Sequence, residues 1–161
     1  MVRDPRDLII SSAKYHCWSD EAWLHVPLDK FNGKTYAEEI NTLETFEEKM
    51  LFEMDNSAGG QIETMTKFDG MGVVKTIRYE DFINDIELHN WFAISDFLGL
   101  ESEEKIHSLR AFYDNSVFGK KQKTGHIQNG KAEQYKSIFT PELNKVFESK
   151  FPNALAKLGY L

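Results

Sequence analysis

The 161-residue chain has a single cysteine, Cys17, so no intrachain disulfide can form and the redox compartment is left open. Four prolines and ten glycines are too few for a fibrous or low-complexity chain. The 41% hydrophobic and 28% charged residues are instead those of an ordinary folded protein, expected as a single domain over 1–161. No apolar run approaches the roughly 20 residues that cross a bilayer, and the N-terminus lacks a signal-peptide pattern, so a cytoplasmic setting without membrane contact is expected. Basic residues are outnumbered, 19 against 26 acidic, giving a net charge of −7. That balance disfavours nucleic acid as a partner, because phosphate-backbone contacts need a broad basic surface.

Several chemistries are missing too. No glycine-rich loop ends in Gly-Lys-Ser/Thr, and His89, His107 and His126 are too scattered to argue a Ser-His-Asp arrangement. His16, Cys17, Asp20 and His25 are close in sequence, but their spacing matches no compact zinc pattern, and no metal site is expected. Nearby Trp18, Trp23 and Phe31 read as core or partner-packing residues.

What is present is unevenly placed charge and strong helical patterning. Glu38 to Asp55 holds seven acidic residues against one lysine, whereas Gly119 to Lys136 holds five lysines against one glutamate. Asp4 is a good N-cap, Pro5 suits the first helical position and Asp7 follows three residues after the cap, so a helix should run from Asp4 or Pro5 to about Tyr15. Thr35 and Glu38 form a capping-box pattern, and Ile40, Leu43, Phe46, Met50 and Met54 predict one helix to Met54. Ser57-Ala58-Gly59-Gly60 reads as its stop, with a short helix over Gln61–Phe68. Val73–Tyr79 is rich in β-branched residues and predicts the one clear strand. Helices are predicted over Phe82–Leu100, Glu101–Tyr113 and Glu142–Phe151, with a glycine- and lysine-rich loop over Val117–Ile138. A lone strand needs neighbours, supplied by other chains or by a parallel sheet that begins upstream.

Three places carry candidate anion chemistry. Arg3, beside the free N–H groups of a helix start, can grip a phosphate, and Ser11 lies two turns on; Arg3 can equally pair with Asp4 or Asp7. Tyr79 closes the predicted strand, where ligands of parallel sheets sit, or is a buried aromatic. Gln128-Asn129-Gly130-Lys131 offers backbone N–H groups and a cation, or is a plain surface loop.

Arg3-Asp4-Pro5-Arg6-Asp7 with Ser11, then Tyr79-Glu80-Asp81-Phe82, Phe97-Leu98-Gly99-Leu100, the tail Gly130 to Leu143 and the ending Leu158-Gly159-Tyr160 together resemble the sulfotransferases that use 3′-phosphoadenosine 5′-phosphosulfate. The resemblance covers the C-terminal part of that family. It implies an α/β fold, the helix-rich C-terminal part of a P-loop-type, three-layer parallel-sheet domain. It also implies transfer of a sulfuryl group from that co-substrate to a hydroxyl or amine of a small-molecule or glycan acceptor. Arg3 and Ser11 would hold the 3′-phosphate and Tyr79 the adenine. Ser108 and Leu109 would line the nucleotide, with Leu109 in place of an aromatic ring, and Gln128, Asn129, Gly130 and Lys131 would form the tail loop.

The tail departs from the family's Arg-Lys-Gly, and Gln128 removes a bidentate cation there. The family's phosphosulfate loop and catalytic histidine precede Arg3 and have no counterpart in the sequence. Transfer is therefore expected to need further N-terminal elements, from a missing half or a homo-oligomer, and no catalytic residue is assigned. The alternatives are a non-catalytic nucleotide-binding domain or a helical protein-interaction domain, the latter using the acidic Glu38–Asp55 segment as its exposed face.

Overall fold

The computed structural model describes residues 1–68, 70, 72–115 and 131–161. Ten α-helices form among them: α1 (Pro5–Tyr15), α2 (Tyr36–Asn41), α3 (Phe46–Asp55), α4 (Ser57–Lys67), α5 (Tyr79–Ile83), α6 (His89–Phe97), α7 (Ser102–Asn115), α8 (Tyr135–Ile138), α9 (Pro141–Lys150) and α10 (Ala154–Leu158). Short 3₁₀ turns occupy Ala22–His25 and Asp29–Phe31. The chain divides into two compact units, Asp4–Asp69 with Glu133–Leu161 (the core unit) and Met1–Arg3 with Gly70–Ala132 (the α5–α7 unit).

The core unit is built as its caps dictate. Asp4 accepts the Arg6 N–H at 2.9 Å and Pro5 opens α1, because proline lacks the donor that a helix start would leave unused. Thr35 and Glu38 form the capping box of α2. The expected single helix from Thr35 to Met54 is two, because Thr45 and Glu48 form a second capping box that starts α3. Ser57–Gly60, expected as a stop, lies inside the first turn of α4. Ile9, Ile10 and Ala13 of α1, Met50 and Met54 of α3, Ala58 and Ile62 of α4 and Leu143 and Phe147 of α9 close one apolar core. The N–H of Tyr135 donates to the buried Asp7 carboxylate at 2.9 Å and the Arg6 guanidinium lies 3.5 Å from the Tyr135 ring centre, which ties α8 to α1.

The α5–α7 unit is sparer. Asp85 Oδ2 accepts the Trp91 N–H at 3.1 Å at the start of α6, and Gly99, at φ 68°, ends that helix in the left-handed conformation glycine tolerates. The expected helix over Phe82–Leu100 is therefore broken into α5 and α6, while the predicted Glu101–Tyr113 helix is α7.

The α/β expectation is overturned. Among the described residues no β-strand forms, and pairing is limited to two isolated bridges, Val2 with Arg78 and Pro27 with Thr35. Val73–Tyr79 is not a strand. Its β-branched residues favour an extended path, but a strand exists only by pairing, and only one bridge is made before Tyr79 turns into α5. A three-layer sulfotransferase domain of P-loop type requires a parallel sheet, and this helical architecture is incompatible with it.

Candidate functional site: an apolar groove and a polar aromatic cluster

The α5–α7 unit carries a groove of about 500 Å³ lined by Asp85, Ile86 and Leu88 ahead of α6 and by Ile106, Leu109, Arg110, Phe112 and Tyr113 of α7. Ile106, Leu109 and Tyr113 fall at i, i+3 and i+7, the spacing that puts side chains on one helix face. Such a stripe is normally buried, yet Ile106 is 68% and Ile86 82% exposed. Asp85 and Arg110 add one acidic and one basic group to an otherwise apolar wall. Leu88 sits at φ 61°, a left-handed conformation that costs a branched side chain roughly 1–3 kcal/mol. Its N–H donates to Asp85 O at 3.1 Å and its own carbonyl accepts from Phe92 N–H at 2.9 Å, contacts that hold the turn.

The core unit carries a different arrangement. Glu53 is fully buried. Its Oε1 accepts from the Tyr36 hydroxyl at 2.9 Å and lies 2.7 Å from His16 Nδ1, while the Ala58 N–H donates to Oε2 at 3.3 Å. Burial, joined by the charge and hydrogen bond of Glu53, pushes the Tyr36 hydroxyl far above the ordinary tyrosine range. The His16 ring meets Tyr36 and Trp23 edge-on, at centroid distances of 5.4 and 5.0 Å. These contacts join α1, α2 and α3 around one carboxylate and fix the orientation of Trp23. Cys17, next in the chain, donates its thiol to Ala13 O at 3.0 Å; burial raises its pKa against the pull of Lys49, which suits an unreactive thiol.

The residues expected to hold a nucleotide are partly brought together. The Arg3 guanidinium stacks 4.6 Å from the centre of the Tyr79 ring, and both belong to the α5–α7 unit. Ser11 is on α1 in the core unit. Ser108 donates its hydroxyl to Lys105 O at 3.2 Å, within α7 itself, and Leu109 lines the apolar groove. Lys131 is exposed, and Gln128, Asn129 and Gly130 lie outside the described residues. The expected co-substrate, 3′-phosphoadenosine 5′-phosphosulfate, has neither its sheet-based fold nor a nucleotide-binding motif here, so that expectation and the sulfotransferase activity drawn from it are corrected. Tyr79 does not end a strand, so the crevice beyond a parallel sheet that was to receive adenine is not formed. Among the described residues no group of three His, Cys, Asp or Glu is placed to hold a metal ion, and no helix is long and apolar enough to cross a membrane.

Glu53, Tyr36 and the groove residues Ile86 and Ile106 were not singled out from sequence. The helical spacing of Ile106, Leu109 and Tyr113 was visible there; the exposure of Ile106 was not. No family model matches the chain, and neither the curated proteins nor the solved structures contain a significant match.

Proposed function

We propose that the chain is a non-catalytic, helical protein-interaction domain whose working surface is the α7 groove, and that the groove takes an amphipathic helix of another protein. The observation that carries this reading is the apolar groove in which Ile106 and Leu109 of α7 face Ile86 and Leu88, with both isoleucines strongly exposed. A groove bounded by helical residues at i, i+3 and i+7 matches the spacing by which a second helix inserts its own apolar side chains. The exposure of both walls suits an elongated partner better than a small molecule, whose sites enclose most of the ligand. The exposed Arg110 would favour an acidic residue on the partner at one end of the groove. The strained turn at Leu88 holds Ile86 beside α7 in advance, which lowers the ordering cost of binding.

Photocrosslinking tests the reading. With benzoylphenylalanine in place of Ile106, a discrete adduct should form in cell extract, and Ile86→Asp in the same chain should reduce it by at least about tenfold, because a charge would be desolvated in the groove. The same photoprobe at Glu104, on the far face of α7, should give no such adduct. Equal adducts from both positions, or an adduct that survives Ile86→Asp, contradict the proposal.

A further inference from the structure

The core unit presents a second surface, separate from the α7 groove, whose chemistry points to a different kind of partner. Trp18 is 48% and Trp23 43% exposed, an unusual pair of solvent-facing indoles. They are linked by shared contacts. Trp18 stands edge-on to Tyr15 at a centroid distance of 5.3 Å, and the Tyr15 hydroxyl donates to Glu21 Oε1 at 2.9 Å. Trp23 donates its indole N–H to the other oxygen, Glu21 Oε2, at 2.6 Å. Behind Trp23 lie His16 and Tyr36, both held by the buried Glu53. The indoles are thus positioned before any partner arrives.

The segment that carries Trp23 and begins just after Trp18 is one-sided in charge. Residues 19–56 hold ten acidic residues, Asp20 and Glu21 among them, and three lysines, a net of −7 that equals the net charge of the whole chain. Aromatic faces attract cations through their quadrupoles, indole most strongly, and a surrounding negative field draws cations toward them. An apolar partner would gain from the rings but not from the carboxylates; an acidic one would be repelled.

We infer that the Tyr15–Trp18–Trp23 face is a docking surface for an arginine-rich segment of a partner protein. Arginine fits better than lysine, because its planar guanidinium stacks on indole while its N–H fork reaches a neighbouring carboxylate such as Asp20. Tyr15 and Glu21 supply the frame and the indoles supply the contact. The surface belongs to the core unit alone and does not depend on what occupies the α7 groove.

The test is fluorescence anisotropy of a dye-labelled Gly/Arg-repeat peptide titrated with the full chain at low and physiological salt. Saturable binding that weakens with salt is expected, and Trp18→Ala should lower the affinity about threefold or more, the range of a cation–π contact at an exposed site. Trp18 makes its ring contact at the surface, so this variant should fold; Trp23→Ala should weaken binding similarly, with its melting curve recorded because Trp23 packs on His16 and Tyr36. Glu142→Gln on α9 removes one charge from an element that carries none of these residues and should leave affinity unchanged. A Gly/Lys-repeat peptide should bind more weakly than the arginine peptide. Absence of saturable binding would overturn the inference. So would equal affinity of the Trp18→Ala variant and the unaltered chain, or a loss with Glu142→Gln as large as with Trp18→Ala, since either reduces the effect to bulk charge.

Discussion

Glu53 shows how much one side chain can organise. A fully buried carboxylate is tolerated only when its oxygens are satisfied, and here His16, Tyr36 and the Ala58 N–H satisfy them from three directions. Glu53→Ala leaves a buried imidazole and a buried hydroxyl without their acceptor, and should cost roughly 3–5 kcal/mol in urea unfolding. A loss below about 1 kcal/mol would mean that the cluster relaxes without it. The capping glutamates behave differently because they are exposed. Glu38 Oε2 accepts the Thr35 N–H at 2.7 Å and Glu48 Oε2 the Thr45 N–H at 2.8 Å, and these bonds hold both carboxyls below the ordinary glutamate value. With the folded pKa depressed, the stabilisation is complete above the ordinary value and is lost as pH falls through the folded one. Carboxyl titration by NMR should give midpoints for Glu38 and Glu48 below the ordinary glutamate value, and fraying of the α2 and α3 N-termini should follow in the same acid range.

At the scale of elements, the corner between α3 and α4 is set by Gly59. A Cβ there would collide with Met54 O and lie 3.4 Å from Phe151 Cζ. Helix propensity alone predicts that Gly59→Ala stabilises by about 1 kcal/mol. The clash with a backbone oxygen predicts the opposite, a loss of about 1–3 kcal/mol, and the sign of the change in thermal unfolding decides between them. This corner also shows what the sequence could disclose. Ser57-Ala58-Gly59-Gly60 carries every local signal of a helix stop, yet α4 starts there because close approach to α3 demands a glycine. Helix α1 was legible because Asp4, Pro5 and Asp7 act within a few residues of one another, as do Thr35 and Glu38. The Thr45/Glu48 box was equally local but lay hidden under a continuous apolar period. Val73–Tyr79 misled because β-branching reports a preference for extension, whereas a strand depends on partners elsewhere in the chain. The Glu53 cluster was out of reach for the same reason: His16, Tyr36 and Glu53 meet only through the packing of α1, α2 and α3.

At the scale of the whole molecule, the two units are unequal in what they bury. Among the described residues every buried apolar side chain except Trp91 belongs to the core unit. Few buried contacts mean easy local opening. In the free chain, amide hydrogens of α6 and α7 should therefore exchange well before those of α1, α3 and α9. The most direct test of the central claim repeats that exchange measurement with the protein captured by the Ile106 photoprobe, now added without crosslinking. Protection should appear over Asp85–Leu88 and along α7 and be absent from α9; protection confined to the core unit, or none at all, would contradict the assignment of the α7 groove as the binding surface.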